Sequence, residues 1–352
     1  MLAPPWISVP PPGYGGIEAV VALLCDGLVA RGHDVTLFCA PGSDSTAAVR
    51  PLLSRSYPDE IGAAIYESDH VARAFAAIDE AAADGRPFDV VHDHSGFVAL
   101  ALADRLATPM VHTIHGPFTE ETSAFYAQHG SKAQLVAISR SQRAFGPPGL
   151  RARVVPNPIR VDDWPAPSGR REHLLWVGRM TEEKGPHRAI DAARLAGRRI
   201  VLAGPIQPGQ EEFFGAEVAP RLDGERALYV GETRGDAKID LFAGAAALLM
   251  PIRWPEPFGM VMTEALACGT PVIAYPEGAA PEIVVDGESG FLVEDEAQMA
   301  LAIGRLDEIE PESCRALAAE RFDVGAVAAA YEAVYRETAL HVSAAALFTR
   351  RA

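Results

Sequence analysis

Two glutamates set the most informative spacing in the chain. Glu256 and Glu264 bracket the start of the run Glu256-Pro-Phe-Gly-Met-Val-Met-Thr-Glu264-Ala-Leu-Ala-Cys-Gly-Thr-Pro-Val, which follows the apolar stretch Ala246–Ile252. The pattern reads strand, loop, helix, turn, strand. It puts Glu256 at a strand's carboxyl end, where open α/β sheets bind ligands. The helix is expected to start near Phe258, with the amides of Phe258, Gly259 and Met260 left unpaired in its first turn. Those donors and the helix dipole suit an anionic or hydroxyl-rich ligand. Glu264, about two turns in, still reaches it. Carboxylates in these places accept hydrogen bonds from vicinal hydroxyls. Taken alone, such a pair also serves to cap or solvate a helix.

A second cluster is cationic. In Trp176-Val-Gly-Arg179-Met-Thr-Glu-Glu-Lys184-Gly185-Pro, Arg179 and Lys184 flank a short loop after a strand ending at Gly178. Arginine grips phosphate with two donors and lysine supplies a compact charge. Beside a pyrophosphate they would stabilise negative charge growing on a departing nucleoside diphosphate. A third feature is the turn Gly13-Tyr14-Gly15-Gly16-Ile17-Glu18 ahead of the first helix, where Gly15 and Gly16 let backbone approach a ligand. Histidines form a fourth. His92 and His94 alternate along a strand end, so both point the same way. Structural or acceptor-side hydrogen bonding is the expected role, because a metal site needs a third ligand and none stands out. His115, in Val111-His-Thr-Ile-His115-Gly-Pro, ends the next strand and is expected to face a ligand cleft.

These residues need a scaffold of strands and helices in alternation. The second half supplies strands at His173–Gly178, Arg199–Gly204, Arg226–Gly231, Ala246–Ile252, Pro271–Tyr275 and Gly290–Glu294, with helices beginning near Pro186, Gly209, Arg234, Phe258 and Ala279. Such alternation with right-handed crossovers specifies a parallel, doubly wound sheet. The first half repeats the pattern more loosely. Its strands are Asp34–Ala40, Phe88–His92, Pro109–His115, Gln134–Ser139 and Arg153–Pro156, with helices at Ile17–Arg31, Glu67–Ala83, Phe97–Leu106 and Thr119–Gly130. The expected organisation is an N-terminal Rossmann-like domain over 1–158, a Pro-rich linker over 159–172 and a second Rossmann-like domain over 173–322. A helical segment, 323–352, crosses back to the first domain and carries Tyr331 and Tyr335 one turn apart. Only Met1–Ala3 precede Pro4 and Pro5, so either the start has been placed too far downstream or the first sheet has lost part of its first strand.

Composition narrows the partners. The 31 basic and 47 acidic residues leave a formal charge of −16, which repels phosphate backbones and anionic membranes. Neither nucleic-acid binding nor stable membrane insertion is expected. Local Arg-rich stretches, Arg140 to Arg153 and Arg194 to Arg199, still leave room for a small anion. The four cysteines, Cys25, Cys39, Cys268 and Cys314, lie in apolar stretches or helices without a C-x-x-C pair and are expected to be reduced and buried. No apolar run approaches a membrane span and no signal-peptide pattern opens the chain, so a cytoplasmic protein is expected.

The glutamate run resembles the E-x7-E motif of the family-4 retaining glycosyltransferases, which have the GT-B fold, two Rossmann-like doubly wound domains facing a cleft. The likeness includes the E-P-F-G opening and the E-A-L-A-C-G-T-P-V continuation. The resemblance implies that Glu256 binds the transferred sugar and Glu264 the donor ribose. Gly178 to Gly185 resembles the family's G-R-x(4)-K-G signature, whose Arg and Lys hold the donor diphosphate. The Gly13–Glu18 turn resembles the G-G loop that closes over the donor phosphates, and His115 the first-domain histidine that contacts the transferred sugar. Tyr229-Val230-Gly231 ends a strand where family members cradle the base through backbone groups. Pro156-Asn157-Pro158 resembles the family's hinge.

What the resemblance implies is transfer of a hexose-type sugar from a nucleoside-diphosphate sugar to a hydroxyl of a small-molecule, saccharide or lipid-linked acceptor. Same-face attack would retain configuration, with no metal and no cofactor beyond the donor as co-substrate. Asp162 and Asp163 do not form a D-x-D metal pair in a suitable context. Two other classes remain open: a GT-B nucleotide-sugar epimerase, and a two-domain binding protein without chemistry.

Overall fold

The computed structural model describes residues 1–13, 15–167 and 171–349; Tyr14 of the glycine turn and part of the expected linker, 168–170, lie outside them. The chain divides into two compact units, Met1–Pro158 with the chain from Val324 onward, and Ile159–Asp323.

In the N-terminal unit, β1 (Thr36–Cys39) pairs in parallel with β2 (Ala48–Pro51). The strands β3 (Val91–Asp93), β4 (Met110–Ile114), β5 (Gln134–Ala137) and β6 (Ala152–Val154) form a parallel series in that order. Leu2 joins the two sets, bridging Phe38 on one side and Asp93 on the other. The Leu2 amide donates to His92 O at 2.8 Å and the Ala3 amide to Phe38 O at 2.9 Å. The place of a central first strand is thus held by a stub. The Met1 ammonium donates to Thr36 O at 2.8 Å, and burial lowers its pKa. A cavity of about 870 Å³ lies beside it, lined in part by Asp34, Val35, Phe88 and Val90.

The helices of this unit are α1 (Gly16–Ala30), α2 (Ala64–Ala83), α3 (Phe97–Ala101), α4 (Glu120–His129) and α5 (Arg140–Ala144). Helix α1 buries Leu24 and Leu28 against Val111, Val136, Val327 and Tyr331, so it and the C-terminal helix, Val324–Thr349, share one core with β4 and β5. Full burial of each leucine contributes about 1.5–3 kcal/mol. Gly27 permits the close approach: a Cβ there would lie 2.8 Å from Val324 Cγ2 and 3.0 Å from Ala328 Cβ. Arg31, at the end of α1, pairs with Glu332 of the C-terminal helix.

The C-terminal unit is one six-stranded sheet of β7 (His173–Val177), β8 (Ile200–Ala203), β9 (Ala227–Tyr229), β10 (Ala245–Met250), β11 (Val272–Ala274) and β12 (Gly290–Leu292), in the order β12-β11-β10-β7-β8-β9. Every pairing is parallel. All six strands are those expected, shortened at one or both ends, with β10 starting one residue earlier, at Ala245. Their near-continuous apolar burial is what a sheet covered on both faces requires. Its helices are α6 (Pro186–Leu195), α7 (Glu211–Phe213), α8 (Gly235–Ala243), α9 (Met260–Ala267), α10 (Ala280–Ile283), α11 (Glu296–Ile303) and α12 (Pro311–Arg321). The strand order reverses between β7 and β10, and ligands bind at such switch points.

The sequence pattern missed β2, α5, α11 and α12. Strand β2 is mostly exposed, with Arg50 and Pro51 at its end, so it carries no alternation to read. Within the segment expected as a linker, Ile159 to Trp164 pack on the C-terminal unit. Ile159 bridges Asp323, Val161–Asp163 form a short 3-10 turn, and Arg315 donates to the carbonyls of Val161 (3.1 Å) and Trp164 (2.8 Å). All four cysteines are free and buried. No helix among the described residues is long and apolar enough to cross a membrane.

Candidate active site

The cationic loop leaves β7 at the switch point. Gly178 and Gly204, at the ends of β7 and β8, are pressed together: Gly204 has φ +144°, and a Cβ on it would run into the Gly178 carbonyl. The chain then turns, with the Lys184 amide donating to Thr181 O at 3.2 Å, and Gly185 caps α6 in the left-handed region at φ +71°. Pro186 follows at the first helical position, where its missing N–H costs nothing. The Trp176 indole donates to Lys184 O at 3.2 Å, tying the loop to the strand core.

Glu256 lies across the switch point, in the loop after β10. Its carboxylate pairs with Lys184 and accepts from the Trp254 indole at 3.0 Å. The Lys184 ammonium also sits 4.8 Å from the Trp254 ring centroid, a cation–π distance. The Glu256 backbone is gripped from the far side, where the Ala279 amide donates to Glu256 O at 3.0 Å. Gly278, at φ +57°, lies so close that a Cβ would collide with that same backbone. Arg179 does not join this pair; its guanidinium donates to Gln207 Oε1 at 3.3 Å.

Helix α9 starts at Met260, two residues later than expected. Gly259 is its cap, at φ +84°, a conformation that ends any helical run toward Phe258. Phe258 is buried, its ring 5.9 Å from Phe322. The first-turn amides therefore begin after Phe258 rather than at it. Glu264 is buried on α9; Oε1 accepts from Lys238 Nζ at 2.6 Å, while Oε2 is buried with no hydrogen-bond partner among the described residues. A carboxylate oxygen left so is expensive and suits a donating ligand hydroxyl.

Lys238 and Trp254 escaped the sequence reading. Trp254 stands two residues before Glu256 and was within reach of it. For Lys238, the available signal was rarity. Only three of the 31 basic residues are lysines, Lys132, Lys184 and Lys238, and two of those hold the two glutamates. At the end of β9, Val230 is exposed and its amide donates to Leu202 O at 3.0 Å, while the Gly231 carbonyl accepts from the Gly204 amide at 2.8 Å.

In the N-terminal unit, Gly15 caps α1, and Gly16 is its first residue. A Cβ on Gly15 would lie 2.7 Å from Pro11 Cβ and 2.8 Å from Ile7 Cδ1, whereas one on Gly16 would meet nothing within 4 Å. Gly15 is thus required by packing and Gly16 leaves open space. Glu18 beside them is buried, which raises its carboxyl to about 7.

The histidines of β3 and β4 form one cluster. His115 Nε2 is 2.8 Å from His94 Nδ1, His94 Nε2 is 3.3 Å from His92 Nδ1, and His92 Nδ1 is 2.6 Å from the Tyr335 hydroxyl. His92 Nε2 is 2.8 Å from Thr113 Oγ1, which is 3.0 Å from the Tyr331 hydroxyl. A parallel pair, His112 with Asp93 at 2.6 Å, is closed by the Tyr126 hydroxyl at 3.1 Å. Burial holds His92 and His94 well below the ordinary histidine pKa and lowers His115 to about 3. Among the described residues no group of three or more His, Cys, Asp or Glu is arranged to hold a metal ion.

Residues 163–319 match the family described as Glycosyl transferases group 1, and residues 14–163 match Glycosyltransferase Family 4. The glycogen synthase of Mycobacterium tuberculosis is 30% identical over 93% of this chain and 92% of its own. The D-inositol 3-phosphate glycosyltransferase of Acidothermus cellulolyticus is 28% identical over 83% of this chain and 78% of its own. The crystal structure of AviGT4, a glycosyltransferase involved in avilamycin A biosynthesis, matches with a TM-score of 0.72 at 27% identity, covering 96% of this chain and 97% of that one. With two parallel-sheet units and similarity along nearly its whole length, the chain belongs to the family-4-like glycosyltransferases of the GT-B fold.

Proposed function

We propose that the chain moves a hexose-type sugar from a nucleoside-diphosphate sugar to a hydroxyl of an acceptor, with retention of configuration and without a metal. The observation that carries the reading is the pairing at the C-terminal switch point, where Lys184 and Arg179 follow β7 and Glu256 follows β10. In the reaction the bond from the anomeric carbon to the phosphate oxygen breaks, and its electron pair leaves with the diphosphate. Arg179 and Lys184 stabilise that charge. The acceptor oxygen bonds to the anomeric carbon on the same face, and its proton passes to a phosphate oxygen of the leaving group. Glu256 orients the sugar through its hydroxyls, the free Oε2 of Glu264 takes a ribose hydroxyl, and His115 positions the sugar. The relatives named for glycogen and for D-inositol 3-phosphate support a hydroxyl-rich acceptor, saccharide or small molecule.

The test is a thermal-shift panel of UDP, GDP, ADP, TDP and their common sugars, on the native chain and Glu264→Ala. A ligand that binds the folded state raises its melting temperature by mass action. One nucleotide is expected to shift the native chain by several degrees, with the shift reduced in the variant. No shift with any of them would overturn the donor assignment.

A further inference from the structure

The C-terminal helix supplies two tyrosines to the histidine cluster, and the lengths of the hydrogen bonds there favour one placement of the protons. O–H donors form shorter bonds than N–H donors. The 2.6 Å contact between the Tyr335 hydroxyl and His92 Nδ1 is therefore the phenol donating to a bare nitrogen. A neutral imidazole carries one proton, so that of His92 lies on Nε2 and is donated to Thr113 Oγ1 at 2.8 Å. The one lone pair of His92 Nδ1 faces the phenol, and the longer 3.3 Å contact from His94 is an N–H of Nε2 that shares it weakly. His94 Nδ1 is then bare and must accept at 2.8 Å from His115 Nε2. The proton of His115 is thereby placed on Nε2, and Nδ1, which makes no hydrogen bond among the described residues, is left as an acceptor. The one carboxylate at hand, Asp93, is engaged by His112 at 2.6 Å and by Ser95 at 2.6 Å, so it stays off this chain of bonds.

We propose that Tyr335 and His94 are positioning residues that set the tautomer of His115, so that His115 offers Nδ1 as a hydrogen-bond acceptor to a hydroxyl of the transferred sugar. The relay runs Tyr335, His92, His94, His115, from the C-terminal helix through the ends of β3 and β4. It rests on the role given to His115 above, while the tautomer itself can be read with no substrate present. The relay also gives the paired tyrosines of the C-terminal helix separate duties. Tyr335 donates to the accepting nitrogen of His92, and Tyr331 supports Thr113 on the other branch.

The experiment is long-range ¹H–¹⁵N NMR of protein labelled with ¹⁵N-histidine, the His115 signals being identified by their loss in His115→Gln. In the native protein at neutral pH, His115 Nε2 is expected in the protonated range and Nδ1 in the bare range. Tyr335→Phe keeps the ring but removes the donor, and should move both His115 nitrogens toward averaged values. With the donor found by the thermal-shift panel, it should lower kcat about tenfold and leave nucleotide Kd unchanged. Tyr331→Phe should leave the His115 signals in place, which separates a relay from general loosening of the helix. A His115 protonated on Nδ1, or unmoved by Tyr335→Phe in a variant that melts like the native chain, overturns the relay whether or not sugar is transferred. Correct tautomers in a protein that transfers no sugar would leave the relay standing and overturn the role of His115 instead.

Discussion

The two units have the same architecture and opposite electrostatics. In the C-terminal unit the polar groups at the switch point pair as ions, Lys184 with Glu256 and Lys238 with Glu264, each pair partly open to solvent. In the N-terminal unit the corresponding strand ends carry buried, neutral imidazoles bonded to phenols from α4 and the C-terminal helix, with one acid, Asp93, taken by His112. Ion pairs tolerate partial solvent and meet a charged ligand with little rearrangement. A neutral network in low dielectric is strong only while every partner is satisfied. One unit is built to handle charge, the other to hold geometry.

The largest expected effect sets acid against that neutral network. His92, His94, His115 and His70 all have pKa values lowered by burial, to about 3 for His115 and about 4 for His70. The unfolded chain takes up their protons near pH 6.5, so their contribution is present above that pH and is lost as pH falls toward the folded values. At pH 5 each fully buried ring has given up about 2 kcal/mol relative to neutral pH. Glu18, raised to about 7, acts in the opposite sense between 4.5 and 7, as does Glu67, whose carboxyl is also raised by burial, but these are two groups against four. The C-terminal unit has only two histidines, His173 and His187, both half-buried. Hydrogen exchange at pH 7.5 and pH 5 should therefore show protection lost first at Val111 and Val136, before Leu174 and Leu248. Equal loss in both units would break the contrast.

A smaller effect probes the charged unit. Lys184→Ala or Arg179→Ala should reduce sugar transfer on the order of a hundredfold, as removal of one oxyanion donor does, and Lys184→Ala should also lower the melting temperature by leaving Glu256 unpaired. Native turnover in a folded variant would remove these cations from the mechanism. Smallest is Gly278→Ala. It places a Cβ against the Glu256 backbone at φ +57° and should destabilise the C-terminal unit by about 1–3 kcal/mol. A urea melt reads this directly, and an unchanged midpoint would show that the loop yields without strain.

How much of this was legible depended on how local each arrangement is. All six strands of the C-terminal sheet were readable, because strands buried on both faces are written as apolar runs. Exposed β2 was not, and neither was the packing of Ile159–Trp164, which depends on Arg315 some 150 residues away. Arg179 and Lys184 share one loop, and Glu256 and Glu264 one loop and helix, so spacing made them candidates and the family resemblance gave them roles. Nothing near Lys238 in sequence points to Glu264, and the α9 boundary was misplaced because Gly259 was read as part of the helix and not as its cap.

By itself the sequence determined the alternation of strands and helices, the motif residues and the acidic, cysteine-poor character, since each is a property of neighbours along the chain or of composition. Only the tertiary structure decided which partners those residues have. It matched Lys184 to Glu256, left Glu264 Oε2 without a donor, and brought Tyr335 to His92 from 243 positions away. The physical reason is that hydrogen bonds and ion pairs act over a few ångströms of space. The crossovers of a parallel sheet bring into that range residues that no spacing rule connects.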